Sequence, residues 1–268
     1  MPSTAWADGR HNHAVTPEQT AAAAYPAVRE FGNAFAEDAR TLRRARQLGL
    51  TGWAFYVAGR GGVLGDVDPE TLAAALGFVA ADAVRDGWEA ARRVVAPRQI
   101  AEHHLAECCR WGRDKFEDLP GASRLAELAR RVVVSADAGG LPLFAAWRAM
   151  PVPEDGVGVR VAVLGRLLSE HRTGARLMAV RAAGLSPMEA VLAGPGGSAE
   201  AVSVGWQPPF PPQAPLLRKR VWADALTDRI TGQAYRTLTV PERTELVELL
   251  GDAIRALRAP TGEYPKVR

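Results

Sequence analysis

Cysteine is scarce in this 268-residue sequence: the only two are the adjacent Cys108 and Cys109. Neighbours in a helix-like stretch cannot readily meet disulfide geometry, so reduced thiols are expected. Long apolar runs are also missing. No segment reaches the roughly 20 residues needed to span a bilayer, and the polar start Met1 to His13 lacks the apolar centre of a signal peptide. No membrane partner and a cytoplasmic location are therefore expected. Charge of one sign is not in large excess either, since 33 basic and 30 acidic side chains leave only +3, and the pI of 9.1 reflects that small surplus. Phosphate binding needs a clustered basic face, which such a balance does not imply.

Several catalytic signatures are absent as well. There is no His-Glu-x-x-His, no paired CxxC, no Walker-type loop, no GxGxxG after a strand and no Gly-x-Ser-x-Gly turn. Zinc hydrolysis, nucleotide hydrolysis, dinucleotide binding and serine hydrolase chemistry thus lack support, and neither metal nor cofactor is expected.

What is present reads as a globular, mainly α protein, with 47% hydrophobic and 24% charged residues. Two modules are expected, a helical one over 16–150 and a winged-helix-like one over 151–258. Residues 1–15, with His11 and His13 in a polar setting, and 259–268 read as tails. Thr16-Pro17-Glu18-Gln19 has the form of a capping box and opens a helix that should stop or kink at Pro26. A second helical stretch from about Ala34 carries Arg40, Arg43, Arg44 and Arg46, which suit either DNA phosphates or a solvated face paired with Glu37 and Asp38. Asp68-Pro69-Glu70 starts an apolar stripe through Leu72, Leu76, Val79 and Ala83 that ends near Trp88. Further helical patterns cover 98–117, 122–136 and 159–170, and Ser186-Pro187-Met188-Glu189 is another capping box. Residues 194–215, rich in Gly, Ser and Pro, read as a loop in which Trp206 and Phe210 anchor an extended segment. From Leu216 a helix should give way, over Arg229 to Leu238, to a short β-hairpin, because β-branched and aromatic residues flank Gly232 there. Thr239 and Glu242 then bracket the start of a last helix. Helix, hairpin, helix is the order of a winged helix, with the hairpin as wing.

The stretch from Gly49-Leu50 through Trp53-Ala54-Phe55-Tyr56 and Ala58-Gly59-Arg60 to Leu64-Gly65 is similar to the signature of a high-GC bacterial family labelled helix-turn-helix. Leu168-Ser169-Glu170-His171-Arg172 resembles that family's Arg-Glu-His-Arg segment, and Ala183-Gly184-Leu185 follows at its usual distance. The resemblance, covering about 16–257, implies helical, winged-helix-like modules in proteins often encoded near secondary-metabolite gene clusters. This chain departs from the pattern where relatives show Gly-Asp-Gly-His. It reads Thr173-Gly174-Ala175-Arg176, which puts Arg176 in the place of the histidine.

Two function classes follow. In the first, the chain binds a small molecule and works as a cofactor-independent enzyme of specialised metabolism. Trp53 and Tyr56 would offer flat apolar surface with polar handles, and Arg60 a planar fork for a carboxylate or phosphate. Glu170, Arg172 and Arg176 would join them, with His171 as the candidate for proton transfer. The competing account makes the glycines around Arg60 helix-packing positions and His171 a helix-end cap. In the second class the chain is a winged-helix DNA-binding regulator, with DNA as partner, using Arg218, Lys219 and Arg220 at a helix start and Arg236 on the wing. A homodimer fits either class. His103, His104 and Cys108 have spacings that leave a metal site open, although adjacent helical side chains diverge by about 100°.

Overall fold

The computed structural model describes residues 15–152 and 155–258, so the terminal stretches 1–14 and 259–268, with His11 and His13, lie outside the described residues. Among the described residues the fold is all helical. The first helices are α1 (Pro17–Glu37), α2 (Ala39–Gln47), α3 (Gly52–Gly61), α4 (Pro69–Leu76), α5 (Ala81–Arg92) and α6 (Pro97–Phe116). They are followed by α7 (Ala122–Ser135), α8 (Pro142–Arg148), α9 (Val157–Ala182), α10 (Pro187–Leu192) and α11 (Gly197–Ser203). Two long helices, α12 (Ala214–Tyr235) and α13 (Val240–Arg258), complete the fold.

Helix α9 is the hub, packed against α1, α6, α7, α8, α10 and α12. One large apolar core runs from Ala21 of α1 to Ile254 of α13. A smaller one gathers Leu185, Leu192, Ala201 and Leu216, with Phe78, Trp206 and Phe210 packed against it. The capping boxes at Thr16 and Ser186 form as the sequence implies, each with reciprocal side-chain and backbone hydrogen bonds. Helix α1 does not stop at Pro26, which lies inside it, because its buried face continues through Val28, Phe31 and Phe35.

The β-hairpin wing expected over 229–238 does not exist. Residues 214–235 are one continuous helix. Thr227, Thr231 and Tyr235 lie four apart on the helix, and the Thr227 and Thr231 hydroxyls each donate back one turn, to Ala223 and Thr227 carbonyls at 2.8 Å. Gly232 serves close helix contact rather than a turn: a Cβ there would sit 3.0 Å from the Glu18 backbone of α1. The stretch 194–215 is likewise not all loop, since it contains α11.

The stripe expected to run from Asp68 to Trp88 is broken. Gly77, at φ +60°, turns the chain between α4 and α5. The same plan recurs in α10 and α11, joined by a short turn that holds Gly194 and Gly196. The two segments also align in sequence without a gap, matching Pro69 with Pro187, Ala75 with Ala193, Ala83 with Ala201, Val84 with Val202, Gly87 with Gly205 and Trp88 with Trp206. Both tryptophans hydrogen-bond through Nε1 to a backbone carbonyl, Trp88 to Val67 at 3.0 Å and Trp206 to Phe78 at 3.1 Å. The chain therefore contains two related helix, turn, helix units. They clasp each other: the Ala80 N–H donates to the Val204 carbonyl at 3.0 Å, and a Cβ on Gly205 would fall 2.4 Å from Ala83 Cβ.

Candidate functional site

Helices α1, α3, α9 and α12, with the turn after α10, surround a chamber of about 210 Å³. Five arginines line it: Arg29, Arg60, Arg172, Arg176 and Arg220. The continuous helices α1 and α9 set lining side chains at one-turn spacing. Tyr25, Arg29 and Asn33 follow one another four apart along α1, as Arg172 and Arg176 do along α9.

Four of the five guanidiniums have a carboxylate. Arg60 makes a two-pronged ion pair with Glu170, at 2.9 and 3.0 Å, and donates to the Tyr56 hydroxyl at 2.8 Å. Arg172 pairs with Asp228 at 2.7 Å and lies over the Tyr25 ring, 4.3 Å from its centroid. Arg220 pairs with Asp224 at 3.2 Å, and Arg29 with Glu200 at 3.4 Å. Arg176 is different. It stacks 4.6 Å from the Phe78 ring centroid, donates one hydrogen bond to the Ala190 carbonyl at 3.3 Å, and forms no ion pair among the described residues. Burial pushes its pKa below the usual guanidinium value.

Behind the chamber a second cation leans on the same acid. Arg166, on the turn of α9 before Glu170, hydrogen-bonds to the Glu170 carboxylate and, at 3.1 Å, to the Gly32 carbonyl. Glu170 is only 2% exposed. Burial alone would raise its pKa, but Arg166 and Arg60 together hold it below the ordinary carboxylate range. Arg60 and Arg172, more than a hundred residues apart in sequence, thus line one hollow, with Tyr56 and Arg176 beside them.

The remaining candidates lie elsewhere. Trp53 lines an adjoining groove of about 770 Å³ and stacks on Tyr56, ring centroids 5.7 Å apart. His171 is not among the chamber residues: it is buried against Phe144 of α8, with ring centroids 5.0 Å apart. Burial first, then the charge of Arg148, lower its pKa to about 4. His104 is buried as well. It is enclosed by Phe35, Phe55 and Trp147, and burial holds its pKa well below the usual value. Cys108 and Cys109 are buried free thiols. No group of three metal-ligating side chains is placed to hold an ion among the described residues, and no described helix is long and apolar enough to cross a membrane.

The two buried histidines give stability a sign with pH. A histidine whose folded pKa lies below its unfolded value is neutral in the fold, so unfolding takes up a proton between the two values. The contribution of His171 is complete above about pH 6.5 and falls by on the order of 3 kcal/mol as the pH drops to about 4. His104 acts in the same direction. Urea midpoints measured from pH 7.5 to 4.5 should therefore fall, and should fall less in His171→Phe. An unchanged slope in that variant would remove His171 as a cause.

Residues 21–224 match a helix-turn-helix family. The chain belongs to that family. No curated protein and no solved structure matches it.

In this helix-turn-helix protein the second helices of the two units carry little that could read or bind DNA. On α5 the exposed positions include Asp82, Asp86 and Glu89, and Arg85 is tied to Glu70 and Asp82 at 2.9 and 2.8 Å. On α11 they are Ser198, Ala199, Val202 and Ser203. Like charges facing phosphates oppose binding; Arg92, exposed at the end of α5, reaches Asp66 at 3.3 Å, and α11 carries no arginine, lysine, asparagine or glutamine. Of the residues considered for DNA at the end of the chain, Arg218 is exposed, while Lys219 donates to the Gly184 carbonyl at 3.0 Å. Arg220 points into the chamber, and Arg236 caps α12, 3.8 Å from Glu18, where the wing was expected.

The sequence signs of the missed chamber residues are modest but real. Tyr25, Arg29 and Asn33 form a polar stripe on an otherwise alanine-rich helix. Phe78 sits in the turn that splits α4 from α5, and that turn is visible only when the two repeats are laid side by side.

Proposed function

We propose that this helix-turn-helix family member is a small-molecule-binding protein that holds an organic anion in the chamber between α1, α3, α9 and α12. The observation that carries this reading is Arg176. Arg176 is a half-buried cation with no ion pair of its own, its neighbours Asp224 and Glu200 being engaged by Arg220 and Arg29, and a bound carboxylate or phosphate would complete it. Arg60, read from sequence as the anion fork, is already satisfied by Glu170 and serves as wall. Arg172 and Arg220 are balanced by Asp228 and Asp224, which leaves Arg176 as the chamber's unpaired charge, while Phe78, Leu76 and Val79 form an apolar wall beside it.

Calorimetric titration with benzoate and with inorganic phosphate tests it. At least one of the two should bind and raise the melting temperature. If neither binds at millimolar concentration, the reading falls.

A second reading, DNA binding, is favoured by the family itself. It would use the exposed basic start of α12 rather than α5 or α11. An electrophoretic shift of duplex DNA at low salt, lost steeply as salt is added, would support it. No shift at low salt would remove it.

A further inference from the structure

The chamber is small. At about 210 Å³ it falls below the roughly 300 Å³ at which sites for whole small ligands begin. A head group fits such a space better than a complete molecule. Beside it lies the groove of about 770 Å³, formed by α1, the first turn of α2, α3 and α11. The two hollows share Arg29, Asn33, Tyr56, Glu200 and Val204 as lining.

We propose that chamber and groove are two parts of one site, built for an anion with an acidic head and an extended, flat apolar body, the head on Arg176 and the body against Trp53 and Tyr56. This rests on the chamber reading above and adds the class of ligand. The groove's own chemistry supports it. Trp53 and Tyr56 stack at an interplanar angle of 29°, and the Trp53 N–H is already used, donating to the Ala83 carbonyl at 2.9 Å. Trp53 therefore offers no free donor there and favours a planar apolar partner. Leu42, Ala36 and Ala199 continue the apolar surface, with Glu37 beside them. Where the hollows meet, Arg29 and Glu200 join α1 to α11 by a pair with 47% and 35% of their side chains exposed. Exposed pairs contribute little, so this one can part for a passing ligand.

Four probes and two variants test the claim. Benzoate supplies a head with one ring, biphenyl-4-carboxylate adds a second ring for the groove, biphenyl-4-carboxamide keeps the body without the charge, and inorganic phosphate is a head alone. Burying the extra ring should make biphenyl-4-carboxylate about tenfold to hundredfold tighter than benzoate. The amide should bind at least tenfold more weakly than the acid. Ala199→Trp, at an exposed position on the groove rim, should erase the gain from the second ring. Ser203→Trp, exposed on the same helix, serves if the first variant does not fold. Benzoate and biphenyl-4-carboxylate binding equally, with no effect of filling the groove, would overturn the two-part site while leaving the chamber as an anion site. An amide as tight as its acid would overturn it also. Failure of phosphate and of every carboxylate to bind would overturn the chamber reading and this one together.

Discussion

Glu170→Gln is expected to destabilise the protein by roughly 3–5 kcal/mol, the largest loss from any single side chain considered, because it strands two buried cations at once. Arg60 and Arg166 both lean on that carboxylate, and both are less than a tenth exposed. Glutamine keeps the shape and one acceptor oxygen but removes the charge that compensates them. Removing one partner of a buried pair leaves the other desolvated and unpaired, and here the number left is two. For a chain of this size the loss corresponds to a fall in melting temperature of about 10 °C. Urea denaturation at pH 7.5 measures it. A control follows from the same physics: replacing Arg60, Glu170 and Arg166 together by apolar residues of similar volume should recover much of the loss. A glutamine variant within 1 kcal/mol of the parent would show that the carboxylate is not the keystone of the cluster.

Arg176→Leu should act differently. It removes a half-buried cation that has no ion pair, so the unliganded protein should lose no more than about 1 kcal/mol. Binding of benzoate should weaken by roughly 30-fold or more, the scale for truncating one side of a buried, charge-assisted contact. The pairing of outcomes is the test. A side chain that only holds helices together would lose stability and affinity in step; one retained for a guest loses affinity alone. A variant that is clearly less stable, with affinity intact, would return Arg176 to a packing role against Phe78.

Much of the helical frame can be read from the residues. Thr16 and Ser186 announce their helices because capping is local chemistry, fixed within four residues. The misreadings share a different origin. Ile230, Thr231 and Tyr235 look like strand by composition, but their helical state is decided by a partner more than 200 positions earlier, where Gly232 meets Glu18 of α1. The break at Gly77 hides inside an apolar stripe because Leu76 and Val79 are buried on both sides of it. The site shows the same division. Trp53, Tyr56, Arg60, Arg172 and Arg176 can be picked out as chemistry-bearing residues. Which arginine is already spoken for cannot be, since Glu170 lies two residues from Arg172 in sequence yet binds Arg60, and Asp228 reaches back to Arg172 from α12. His171 stands in the same short motif and is turned away, because adjacent residues on a helix face different neighbours.

Helix α1 is locked in place by the end of the chain. Gly232 lies against Glu18, Arg243 donates to the Val15 carbonyl at 3.0 Å, and Arg258 reaches Glu30. The apolar side of α1 is thus closed only when α9, α12 and α13, from far along the sequence, dock on it. Contacts of such long sequence separation slow folding, so native structure should form late and nearly all at once in refolding.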